Sequence, residues 1–163
     1  MMLGLSLSAF TILHVIISLI AIVAGLIVMF GMLGPNRQGG LTAIFLLFTI
    51  LTSITGFMFP NNSVTPGILI GILSMILLAV ACLALYGMHL AGAWRWIYVV
   101  TALVSLYLNV FVLVIQSFLK IPPLHEIAPG NPPGGPVAGA VQLIVLAFFV
   151  VMIIRVWRRF HPA

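Results

Sequence analysis

Long apolar runs, separated by short polar or proline-containing segments, dominate the chain. They lie at residues 9–32, 41–59, 67–90, 96–120 and 137–156. Each has roughly the 20 residues that an α-helix needs to cross a hydrocarbon core about 30 Å thick. None shows the alternation of polar and apolar residues that is typical of a transmembrane barrel. The pattern predicts an all-α membrane protein, a single domain built as a bundle of five transmembrane helices.

Polar residues recur along one face of the fourth run. Thr101, Ser105 and Asn109 follow one another at steps of four, and Gln116 and Lys120 continue the row. Residues four apart share a helix face. Amide side chains are unfavourable in hydrocarbon unless they find hydrogen-bond partners. We therefore expect this face to point into the protein, with the other helices packed around it.

The composition supports a membrane protein. The chain is 64% hydrophobic and only 4% charged, whereas a soluble domain has about 25% charged residues. Its net charge of +5, with Glu126 as the one acid, would suggest nucleic acid binding in a soluble protein. Here the basic residues lie in loops and at the tail, where the positive-inside rule explains them, so no nucleic acid partner is expected. The single cysteine, Cys82, excludes an intramolecular disulfide.

The basic residues also predict the orientation. Five of the six fall on one side of a five-helix bundle: Arg37, Arg95, Arg155, Arg158 and Arg159. Lys120 falls on the other side. The positive-inside rule then places the N-terminus outside and the C-terminus inside. The first run lacks the basic start of a signal peptide, so we expect it to be a retained span. The motif Trp94-Arg95-Trp96 is interpreted as an anchor at the inner membrane interface.

With this orientation, polar side chains concentrate in the outer half of the bundle. A Pro-rich loop at residues 121–136 follows the fourth run; we expect it to be extended rather than helical and to cover this region. The candidate ligand-binding residues are His14, Thr52, Thr55, Asn109, Gln116 and Lys120, with His125 and Gln142 at the mouth. The inner half has fewer polar residues, and its main exceptions are Cys82, Tyr86 and His89.

Several functions fit this set of residues. One lysine beside neutral hydrogen-bonding groups suits an amphipathic ligand with an anionic or carbonyl head, such as a lipid, a fatty acid or a quinone. Alternatively, the same side chains hold helices together, or the threonines bond to their own helix carbonyls. The polar face of the fourth run could then bind a helix of a membrane-protein partner, which would make the chain a structural or accessory subunit. Gly25, Gly56 and Gly71 are expected to allow close helix packing.

Catalytic and metal-binding signatures are missing from the sequence. It contains no G-x-S-x-G, P-loop or H-E-x-x-H motif, and it has no aspartate and one glutamate. We therefore predict no catalytic residues and no metal site. Haem held by two histidines stays open as an alternative, since His125 is predicted at a depth compatible with His14.

The segments LTSITGFMFP and AGAWRWIYVVTALVSLYLNVFVLVIQSFLKIPPLH, together with the later Gln142, resemble a family of small multi-span bacterial inner-membrane proteins without an assigned function. The resemblance extends over nearly all of the chain and implies a location in the bacterial inner membrane. It implies no activity. Relatives often carry a histidine near the start of the third span, where this chain reads TPGILIG. A histidine-ligated cofactor is therefore not carried over to this chain.

Overall fold

The computed structural model describes residue 4 and residues 6–34, 39–58, 66–130 and 134–160. Arg37, which contributed to the predicted orientation, lies outside these residues. The helices are α1 (Leu7–Gly31), α2 (Gly39–Phe57), α3 (Pro66–Cys82), α4 (Trp94–Lys120), α5 (Pro122–Ile127) and α6 (Pro136–Arg159), and a π-helical turn (Leu83–Gly87) continues α3. Five of the helical segments are long and apolar enough to cross a membrane. The prediction of an all-helical chain with five helices of spanning length is confirmed.

Helix α4 is the centre of the bundle, because it contacts each of the other five helices. No glycine or proline interrupts it, and Tyr98, Val99 and Leu106 on its inner side are almost fully buried. The helix ends where Ile121 takes an extended conformation. A residue before a proline avoids the helical region, because the ring of Pro122 would clash with it.

Close packing of α1 against α2 and α4 depends on Gly25. A Cβ atom at this position would lie 2.7 Å from Leu106 Cδ1 and 2.8 Å from Phe45 Cδ1. Both of those side chains are buried. The expected role of Gly25 as a small residue at a helix contact therefore agrees with the structure.

The expectation that residues 121–136 are extended is wrong for its first part. Pro122–Ile127 forms the short helix α5, with prolines at its first two positions. Prolines are tolerated there although they lack an N–H group, because the first N–H groups of a helix have no hydrogen-bond partner inside it. After α5, Ala128 packs with Phe118 of α4 and Ala138 of α6 in a small second core. This part of the chain thus lies against the bundle instead of projecting from it.

The connection from α3 to α4 contains unusual backbone geometry. The π-helical turn is closed by Met88 N donating to Leu83 O at 2.8 Å. His89 and Leu90 follow with φ angles of 49° and 59°. This left-handed region is unfavourable for side chains other than glycine, and a bulky residue such as leucine is rare in it. Outliers of this kind and π-turns both concentrate at functional sites.

Candidate functional site

At the end of the bundle predicted to be outside, a hydrogen bond joins α1 to α2. His14 Nδ1 lies 2.6 Å from Thr55 Oγ1. The Thr55 hydroxyl has one proton, which it donates to the Leu51 carbonyl at 2.8 Å. The same hydroxyl lies 3.1 Å from the Thr52 carbonyl, and the imidazole tautomer decides which group donates in the bond between His14 and Thr55.

Two further predicted residues belong to this end. Thr52 donates to the carbonyl of Phe48 in its own helix at 2.7 Å. Lys120, in the last turn of α4, is exposed and close enough to His14 for its charge to act on the ring. The structure therefore gathers His14, Thr52, Thr55 and Lys120 in one region. The threonine hydroxyls there bond to protein groups.

The polar row on α4 points inward over only part of its length. Thr101 and Ser105 are buried, and both bond to carbonyls of their own helix. Asn109 is half-buried, and its Nδ2 atom is buried without a hydrogen-bond partner among the described residues. Gln116 is exposed. The expectation that the row faces the interior is therefore met for its first half and fails at Gln116 and Lys120.

The two residues predicted at the mouth both contact backbone carbonyls of α4. Gln142 Nε2 reaches from α6 to the Phe111 carbonyl of α4 at 3.3 Å. It lines a groove of about 180 Å³ between these two helices. His125 is exposed on α5, with Nδ1 3.2 Å from the Phe118 carbonyl. Of the eight candidate residues, Gln142 lines this groove, and the other seven line neither it nor the larger cavity described next.

A larger cavity, of about 340 Å³, lies at the opposite end of the bundle. It is lined by Val28, Met32, Gly39, Thr42, Leu85, Tyr86, His89, Leu90, Tyr98 and Phe160. Thr42 and Tyr98 are buried, while Tyr86 and His89 are exposed. The cavity therefore has apolar walls and polar side chains from its interior to its rim. The π-helical turn and the left-handed residues supply one side of it.

Arg95, in the first turn of α4, contacts a residue that lines this cavity. Its Nη1 atom donates to the Phe160 carbonyl at 2.7 Å and to the Trp157 carbonyl at 3.2 Å. These carbonyls lie at the C-terminal end of α6, where helix carbonyls lack partners and the helix dipole is negative. The ring of Phe160 also packs against Tyr98, with centroids 6.0 Å apart. Arg95 therefore fixes a residue that lines the cavity, besides any role as an anchor.

Sequence reasoning noted Tyr86 and His89 but did not connect them with Thr42 and Tyr98. These four residues come from three segments of the chain. Their spacing in the sequence does not indicate that they meet. The predicted topology does place all four at a similar depth in the membrane, which is consistent with their meeting. The described residues contain no group of three or more His, Cys, Asp or Glu side chains that could hold a metal ion.

Comparison with protein-family models, with curated proteins and with solved structures finds no match for this chain. By length and composition, the five apolar helices found in the described residues suggest a multi-pass membrane protein. Any more specific function has to be argued from the geometry of the chain itself.

Proposed function

We propose that the protein binds an amphipathic small molecule, such as a lipid or a quinone-like compound, in the cavity lined by Thr42, Tyr86, His89 and Tyr98. The observation that carries this proposal is the graded lining of the cavity, apolar in its walls and polar from Tyr98 to His89. Its volume of about 340 Å³ falls in the usual range of small-molecule sites, roughly 300–1,000 Å³.

The geometry favours this cavity over the outer-half pocket expected from the sequence. There, the Thr52 and Thr55 hydroxyls donate to carbonyls of α2, and Thr55 is also hydrogen-bonded to His14. Groups that are already paired inside the protein gain less from a ligand than groups at an open cavity. We therefore assign His14 and Thr55 to the contact between α1 and α2.

We also propose the bacterial inner membrane as the location, with the N-terminus outside and the C-terminus in the cytoplasm. The distribution of basic residues supports this orientation, since Arg95, Arg155, Arg158 and Arg159 accompany the cavity end and Lys120 the other end. The cavity then opens at the cytoplasmic side of the membrane.

The orientation predicts the outcome of reporter fusions. Alkaline phosphatase fused after Gly130 is expected to be active, because that residue would face the periplasm, where the enzyme folds. The same reporter fused after Gly92, between α3 and α4, is expected to be inactive. The reverse pattern in cells that express both fusions equally would overturn the proposed orientation.

Blocking the cavity is expected to abolish ligand binding. Gly39 lines the cavity, and a Cβ atom there would meet no atom within 4 Å. Gly39→Phe therefore adds a ring at the cavity from a position where the Cβ atom itself has room. We expect it to lower the bound fraction of at least one amphiphile about tenfold or more, measured by native mass spectrometry in mild detergent against oleate, oleyl alcohol, phosphatidate, diacylglycerol and a short-chain ubiquinone.

Gly40→Phe is the matched control. Gly40 is the next residue of α2 and also has no atom within 4 Å of a built Cβ, but it does not line the cavity. Its binding should equal that of the parent protein. If every amphiphile binds Gly39→Phe and Gly40→Phe equally, the proposed binding function fails, and the structural-subunit alternative gains.

A further inference from the structure

We propose that the cavity takes the anionic head of an acidic amphiphile, a phosphate or a carboxylate, in preference to a neutral head. This inference rests on the proposed binding function and adds the charge of the ligand. It follows from the charges around the cavity, from the hydrogen-bonding groups in it, and from the way helix ends meet it.

The charges at the cavity end are all positive in the described part of the chain. Arg95 begins α4, and Arg155, Arg158 and Arg159 lie in the last turns of α6. Glu126, which is the one acidic residue of the whole sequence, lies on α5 at the other end of α4. An anion in the cavity would therefore experience an attractive field that no carboxylate side chain opposes, and charges act strongly where the surroundings are apolar.

The polar side chains that line the cavity can all donate hydrogen bonds. Thr42 and Tyr86 carry hydroxyl groups, and His89 carries a ring N–H. Among the described residues that line the cavity, no side chain is a carboxylate or an amide. Hydroxyl and imidazole donors around an apolar cavity suit a head group rich in acceptor oxygens, and hydrogen bonds to a charged acceptor are the stronger ones.

Of two helix ends at the cavity, one favours an anion and the other is paired with Arg95. Helix α2 begins at Gly39, a lining residue, so the positive end of its dipole lies there, and glycine leaves its backbone open to a close approach. Helix α6 ends at Arg159, and its C-cap residue Phe160 lines the cavity. Its negative end would repel an anion, but Arg95 donates to its last carbonyls. The negative end of α6 is therefore compensated, while α1 also ends at the cavity, at its lining residue Met32.

Matched lipid pairs test the charge separately from binding. Phosphatidate and diacylglycerol with the same acyl chains differ only in the phosphate, and oleate and oleyl alcohol differ only in the carboxylate. In native mass spectrometry we expect the charged member of at least one pair to bind about tenfold more tightly, with Gly39→Phe abolishing that binding. The pair that shows the preference identifies phosphate or carboxylate as the head.

The source of the field is tested by two charge variants. The double variant Arg158→Gln with Arg159→Gln should reduce the ratio of charged to neutral binding by about two- to fivefold. Lys120→Gln, at the other end of α4, should leave the ratio unchanged. All three side chains are exposed, so these substitutions should not disturb folding.

The outcomes separate this inference from the function on which it rests. If the neutral member of each pair binds as well as its charged partner, and Gly39→Phe abolishes both, the cavity binds amphiphiles but the preference for anions is wrong. If no lipid of either pair and no ubiquinone is sensitive to Gly39→Phe, the binding function itself is wrong. A ratio that responds only to Lys120→Gln would place the anion at the other end of the bundle and overturn the proposal.

Discussion

Replacing Gly25 by alanine is expected to lower the free energy of unfolding by about 1–3 kcal/mol, the usual cost of overpacking. The added methyl group would lie within 3 Å of both Leu106 and Phe45. Leu106 can move its terminal carbon, but the Phe45 ring is itself buried and would have to shift α2. Three helices meet at this point, so the change should weaken the whole bundle and not one contact.

Gly139→Ala is the control for the Gly25→Ala variant. Gly139 also lies within a helix, but a Cβ atom there meets nothing within 4 Å. Alanine favours a helix over glycine by about 1 kcal/mol, so this variant should be neutral or slightly more stable. Thermal unfolding in the same detergent, followed by circular dichroism, measures both. Equal stabilities for the two variants would show that α1 does not pack closely against α2 and α4 at Gly25.

The existence of five long helices was predictable, because it depends only on the length and hydrophobicity of each run. The direction in which a side chain faces was less predictable. Gln116 is eleven residues from Ser105, which places the two only about 20° apart around α4. Ser105 is nonetheless buried and Gln116 exposed. Helical spacing determines the angle, whereas burial depends on which neighbouring helices reach that depth.

Local features of the backbone were also not predicted from the sequence. Six prolines between residues 121 and 136 argued against a helix, yet Pro122 and Pro123 begin one, because two prolines at a helix start do not interrupt its hydrogen bonds. Likewise, no glycine marks the left-handed turn at His89 and Leu90. This turn lies beside the cavity, so the cavity could not be located from the sequence.

Removing the Arg95 side chain is expected to weaken both the fold and the cavity. Arg95→Leu loses the hydrogen bonds to the Trp157 and Phe160 carbonyls, and bonds from a charged donor contribute about 1.5–3 kcal/mol each when buried. Arg95 is only partly buried, so we expect a loss of about 2 kcal/mol in total. Because Phe160 lines the cavity, binding of the amphiphile should fall as well.

Arg158→Leu separates the two hydrogen bonds from the loss of a positive charge. Arg158 lies at the same end of α6 and is exposed, so its removal changes the net charge equally but leaves the contact between α4 and α6 intact. Unfolding in detergent and binding of the charged lipid should both suffer more from Arg95→Leu than from Arg158→Leu. If the two variants behave alike, the carbonyl contacts stabilise nothing, and Arg95 acts only as the interfacial anchor that its position between Trp94 and Trp96 predicts.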